Sequence, residues 1–159
     1  MAMNCKPVPT LDGRINDIRM RTAEIVNGDI LPNERHLWQA HTDGESLDER
    51  REILELRADI QEKVKRAGLW APHLPKEYGG MGLDFLAHAY MNEVLAYAIG
   101  AASLFGVVAP NSGNQSILVK YGTDERIQRE MLWAVETSIE MFALMNSEIA
   151  SLAHAAAEG

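Results

Sequence analysis

Leu74-Pro75-Lys76-Glu77-Tyr78-Gly79-Gly80-Met81-Gly82 is the stretch on which the reading of this chain turns. It lies between two helical patterns. Upstream, Ile53, Leu56, Ile60, Val64 and Ala67 recur at helical spacing, and the run stops at Gly68. Downstream, Asp84 opens a long apolar run. Pro72, Pro75 and the three glycines cannot continue a helix. Gly79, Gly80 and Gly82 allow positive φ and a tight reversal, so a structural turn between two helices is the leading reading. A dinucleotide fingerprint is excluded, because G-x-G-x-x-G is absent and no strand precedes the loop.

Working outward, residues 1–12 contain prolines and lack periodicity, which predicts a loose arm. A first helix is expected over 14–27, with Ile15, Ile18, Thr22, Ile25 and Val26 on one face and Asn27-Gly28 as its stop. Ser46-x-x-Glu49 has capping-box spacing before the second helix. That helix reaches Ala67, and Gly68 suits the left-handed position beyond it. The third, about 84–98, is apolar nearly all round, the mark of a helix buried on several sides. The run 101–121 should break or kink at Pro110 and end at Gly122. Thr123-Asp124-Glu125 then caps a helix to about Glu136. Residues 138–159 fit either a strand or a further helix, and their Glu, Met, Ala and Leu content favours the helix.

Composition limits the function classes. A chain of 159 residues defaults to one domain. The net charge of -8 argues against a general nucleic-acid binder, whose affinity rests on neutralising phosphates. One cysteine, Cys5, forbids an internal disulfide and suits a reducing compartment. No apolar run approaches the roughly 20 residues of a membrane span, and the N-terminus shows no secretory h-region, so a cytoplasmic location is expected. The five histidines make no paired ligand pattern, and no metal site is nominated. Asp84 and His88, four apart, read as a cap or a surface pair. Glu52, Glu55, Asp59 and Glu62 with Lys63, Lys65 and Arg66 read as a solvated face.

The order of segments from Gly68 to Glu148 resembles the acyl-CoA dehydrogenase family. The loop resembles that family's P-x-E-Y-G-G-x-G, and Tyr121-Gly122-Thr123-Asp124-Glu125 resembles its Y-G-T-E-E. Ala109-Pro110-Asn111-Ser112-Gly113-Asn114 falls between them. Phe142-Ala143-Leu144 falls where the family reads F-A-[ML]-T-E-P. The resemblance implies an all-α fold of five to six helices over 13–137, the N-terminal domain type, with 138–159 starting the family's middle domain or adding a helix. It implies FAD as cofactor and an acyl-CoA ligand. The implied chemistry is α,β-dehydrogenation, with proton removal at Cα and hydride transfer from Cβ to flavin N5. The helices from 84 to 121 would form part of the acyl wall.

By the same resemblance, Phe142, Leu144 and Met145 would lie along the flavin through their backbones, and Ser151 takes the position of a motif serine in the substrate site. The pattern departs from the family's there. Met145 stands for Thr, Asn146 for Glu and Ser147 for Pro, and a thioether offers no strong hydrogen bond. The family's catalytic glutamate belongs to a C-terminal bundle, and no residue here matches it, so no catalytic residue is nominated. Two functions are therefore weighed. One is part of a flavin-dependent acyl-CoA dehydrogenase, inactive by itself. The other is a helical interaction or oligomerisation module derived from that family. Either implies a homo-oligomer or a partner chain carrying the missing domains, because bare apolar faces are rare on monomers.

Overall fold

The computed structural model describes residues 2–39, 47–107, 111–121, 123 and 125. Every regular element among them is helical, and no strand occurs there. The chain divides into two units, Met1–Val108 and Ala109–Gly159.

In the first unit, α1 (Gly13–Ile25) begins where the Asp12 carboxylate accepts from the Arg14 N–H at 2.7 Å. Its buried residues Ile18, Thr22 and Ile25 recur at helical spacing, as the sequence predicts. The expected stop at Asn27-Gly28 does not occur. The chain passes through a π-helical segment, Val26–Ile30, and a 3-10 turn, Leu31–Asn33, into α2 (Glu34–Gln39). Val26, just before the expected stop, and Ile30, just after it, are both fully buried, so continuing the coil buries one more aliphatic side chain, Ile30, than stopping would. At about 1.5–3 kcal/mol per buried side chain, this outweighs the roughly 1 kcal/mol by which glycine disfavours a helix interior.

The arm expected to be loose lies along α1 and is tied to it. The Asn27 side-chain amide accepts from the Met3 N–H at 2.7 Å and donates to the Met3 carbonyl at 2.9 Å. Asn16 does the same for Val8, at 2.8 and 3.0 Å. Both asparagines sit on the coil formed by α1 and its π extension. These bonds satisfy backbone groups that lack a helix or sheet of their own.

The long α3 (Leu47–Arg66) buries Ile53, Ile60 and Val64. Its acidic and basic outer face is wet, with Arg66–Glu62 paired at 3.1 Å and Lys63 reaching Asp29 at 2.7 Å. At Gly68 (φ +66) the helix closes as expected. The Gly68 N–H donates to Lys65 O at 2.9 Å and the Leu69 N–H to Val64 O at 3.1 Å. Both side chains flanking this closure, Val64 and Leu69, are fully buried.

The loop from Leu69 to Leu83 then folds back on itself. The Ala71 carbonyl accepts from the Leu74 and Met81 N–H groups, Leu74 O accepts from Gly82, and Pro72 O from Leu83. Gly79 and Gly82 have positive φ, but Gly80 does not. Its requirement is space: a Cβ there would stand 2.2 Å from the Leu74 carbonyl oxygen.

After the loop, α4 (Phe85–Leu95) is capped by Asp84, whose carboxylate accepts from the Ala87 N–H at 2.8 Å. The short α5 (Ala101–Leu104) follows. It ends at left-handed Gly106, before the break expected at Pro110, with the Val107 N–H returning to Ala102 O at 2.8 Å. Phe105, Leu104, Met91, Leu95 and Leu69 join α1 and α3 residues in one core.

In the second unit, α6 (Asn111–Tyr121) starts directly after Pro110. Ser116 donates its hydroxyl to Ser112 O at 2.8 Å, and Lys120 lies over the Tyr121 ring. The cap at Ser46, the helix expected to Glu136 and the conformation of 138–159 lie outside the described residues.

Two substitutions test this account. Gly80→Ala forces the new methyl into the Leu74 peptide and should cost about 3 kcal/mol or more, read as a lower urea midpoint. Gly28→Ala meets no atom within 4 Å, on backbone without positive φ, and should raise stability by about 0.4–1 kcal/mol.

Candidate functional site

The face of α4 turned away from the core is the most chemically distinctive surface of the first unit. Ala87, Met91, Val94 and Leu95 face inward, and the helix packs on α1 and α5. The sequence pattern predicts burial on several sides. Instead, Phe85 is 89% exposed, Leu86 55% and, in the turn after the helix, Tyr97 54%. Ala89 and Ala96 are exposed too, and Tyr90 is half-buried. An apolar pattern cannot distinguish a wall covered by the same domain from one left open, because both select the same residue types.

One charge interrupts that face, and it is already occupied. Glu93 accepts from Arg19 Nη2 at 3.4 Å. Arg19, on α1, is buried, and its Nη1 donates to the Lys6 carbonyl at 3.0 Å. Its guanidinium lies 5.9 Å from the centroid of the Tyr90 ring. A single arginine thus links the arm, α1 and the outer face of α4. Nothing in the sequence pattern singled it out, since arginine inside an apolar helical stripe is indistinguishable from an exposed one until its partners are known.

At the other end of the helix, His88 meets His73 from the loop, ring centroids 6.3 Å apart and planes 24° apart. His88 Nε2 is buried with no hydrogen-bond partner among the described residues. Burial, then the charge of His73, push the His88 imidazole below its ordinary range. The Asp84 carboxylate, expected as cap or surface partner for His88, serves as the cap through the Ala87 N–H. The loop places His73 beside His88, a juxtaposition that fifteen residues of separation concealed. Among the described residues, no group of three or more His, Cys, Asp and Glu could hold a metal, and no helix is long and apolar enough to cross a membrane.

The residues nominated from sequence, Phe142, Leu144, Met145 and Ser151, lie outside the described residues.

A helix closed by glycine, a self-bonded P-K-E-Y-G-G-M-G reversal and an aspartate-capped apolar helix follow one another in this helical domain. The family model for the acyl-CoA dehydrogenase N-terminal domain matches residues 16–135, and this chain belongs to that family. It is 37% identical over 100 residues to acyl-CoA dehydrogenase family member 10 of Mus musculus, covering 58% of this chain and 9% of that protein. With the probable acyl-CoA dehydrogenase IBR3 of Arabidopsis thaliana it shares 23% identity over 173 residues, 87% of this chain and 19% of the relative. With acyl-CoA dehydrogenase FadE12 of Mycobacterium tuberculosis the figures are 31% over 98 residues, 61% and 25%. The chain thus spans a quarter or less of each of these relatives. No solved structure matches it.

The histidine pair gives a pH prediction. A folded-state His88 value below the ordinary 6.5 means that the unfolded chain binds more protons between the two values. Stability is therefore full above about pH 6.5 and declines as pH falls through the lower, folded-state value. Urea midpoints from about pH 7.5 down to about pH 5 should fall more steeply for the native sequence than for His88→Gln.

Proposed function

We propose that this chain contributes part of the acyl-binding wall of a flavin-dependent acyl-CoA dehydrogenase, an enzyme acting on acyl-CoA thioesters by α,β-dehydrogenation. The observation that supports this is the open apolar face of α4, with Phe85, Leu86 and Tyr97 exposed and its one carboxylate, Glu93, held by Arg19. An acyl chain needs an apolar surface, and this face supplies one whose single carboxylate is paired. The role of these residues is to bind and to keep water out. No residue of this sequence is assigned as the base that removes the Cα proton.

FAD is the cofactor of the proposed enzyme. The donor set offered here for it is poor: backbone groups of Phe142, Leu144 and Met145, with a thioether where the family has a hydroxyl. This does not fit a self-sufficient flavin site, so no step is derived through the cofactor. Ser151 is proposed for the substrate side on sequence position alone. The flavin site, the base and the remaining acyl pocket would come from further sequence or from another chain, within a homo-oligomer or a complex. A second reading, a flavin-free interaction module, draws on the same exposed face, which would then cover a protein surface.

Purification distinguishes the two. A preparation that retains visible flavin absorption and oxidises acyl-CoA with an artificial acceptor supports the enzyme reading. A colourless, monodisperse oligomer without that activity supports the module. In an active preparation, Phe85→Ser should change stability by no more than about 0.5 kcal/mol, because the side chain is exposed, yet raise KM for acyl-CoA.

A further inference from the structure

Three arginines of the first unit are not exposed: Arg19, Arg21 and Arg57. Two of them have carboxylate partners, Glu93 for Arg19 and Asp17 for Arg21. Arg57 has none among the described residues. Its Nη2 donates to the Ser103 hydroxyl at 3.0 Å, and that hydroxyl in turn donates to Gly100 O at 2.7 Å. The sequence explains the lack. Arg21 has Asp17 and Arg66 has Glu62 four residues back, whereas the helical neighbours of Arg57 are Ile53, Leu54, Ile60 and Gln61. Every carboxylate of α3 therefore misses the positions from which it could reach this guanidinium.

A cation drawn partly out of water and matched, among the described residues, to a neutral hydroxyl is under-compensated. Burial accordingly disfavours its charged form. A guanidinium carries five N–H donors in a planar fork, and among the described residues one of them has a partner. Ser103, fixed by its own bond to Gly100 O, holds the fork between α3 and α5. One turn earlier on α3, Leu54 is 38% exposed.

We propose that Arg57, oriented by Ser103 and flanked by Leu54, is a receptor for a single carboxylate side chain, an Asp or Glu beside an apolar residue, presented by a partner polypeptide surface. The fork matches a carboxylate through two parallel N–H···O bonds. A phosphoryl dianion would call for a second cation, and none stands one turn away from Arg57 on α3. Arginine next to an apolar side chain is also the composition that concentrates binding energy at protein interfaces. This site uses α3 and α5 and none of Phe85, Leu86, Tyr97 and Glu93, the residues from which the acyl wall is proposed, so it does not depend on flavin binding.

The test uses the whole chain with sodium isobutyrate as probe, a carboxylate carrying a small apolar group. Thermal midpoints are compared in isobutyrate, chloride and inorganic phosphate at equal ionic strength. The native sequence should gain about 2 °C or more in saturating isobutyrate over chloride. Arg57→Gln should lose that increment, and Ser103→Ala should weaken the probe several-fold. In the native chain, the Arg57 Nε–H resonance should shift saturably with isobutyrate, a readout that needs no variant to fold. Equal increments in native and Arg57→Gln chains, or an unmoved resonance, overturn the proposal. A larger increment in phosphate than in isobutyrate also overturns it, in favour of a phosphoryl ligand.

Discussion

The first unit depends on the two backbone polar groups of Ala71. Its N–H donates to Phe105 O, and its carbonyl accepts from both Leu74 and Met81. Those bonds fasten the start of the loop, its return and the end of α5 at one point. The residue is buried and holds φ +45, a left-handed conformation that costs a non-glycine residue about 1–2 kcal/mol. That cost is offset by buried backbone groups that would otherwise lack partners. The tight reversal, and with it the position of Asp84 at the start of α4, follows from this junction.

What the sequence made legible was mostly punctuation. Gly68 and Asp84 mark helix ends through local chemistry: a left-handed backbone in one case, a carboxylate on an orphan N–H in the other. Such signals act within four residues and can be read without the fold. Asn27-Gly28 looked like the same kind of signal and was not. The residues on either side, Val26 and Ile30, are swallowed by the core, and burial settled the matter over propensity. Gly80 was grouped with its neighbours as a positive-φ residue, although its reason is the proximity of Leu74, six residues away.

The candidate site was less legible because its features are relations between distant segments. Arg19 reaches Glu93 across seventy-four residues, and Arg57 reaches Ser103 across forty-six. His73 meets His88 only after the loop has turned back. The α4 stripe was visible as apolar, but its openness was not, since Phe85 and Met91 look alike in a sequence and differ from 89% to 0% in exposure. The family resemblance named the class of protein without locating any of these contacts.

The fastening of the arm bears on where this folding unit starts. The family match opens at residue 16, yet Asn27 clamps both polar groups of Met3, and Arg19 draws on Lys6. Proteolytic trimming of the leading ten residues would uncover the buried guanidinium and strip two asparagine amides of their partners. Homology boundaries and mechanical boundaries therefore differ here, and an expression fragment cut at the homology boundary would begin life with an exposed wound along its first helix.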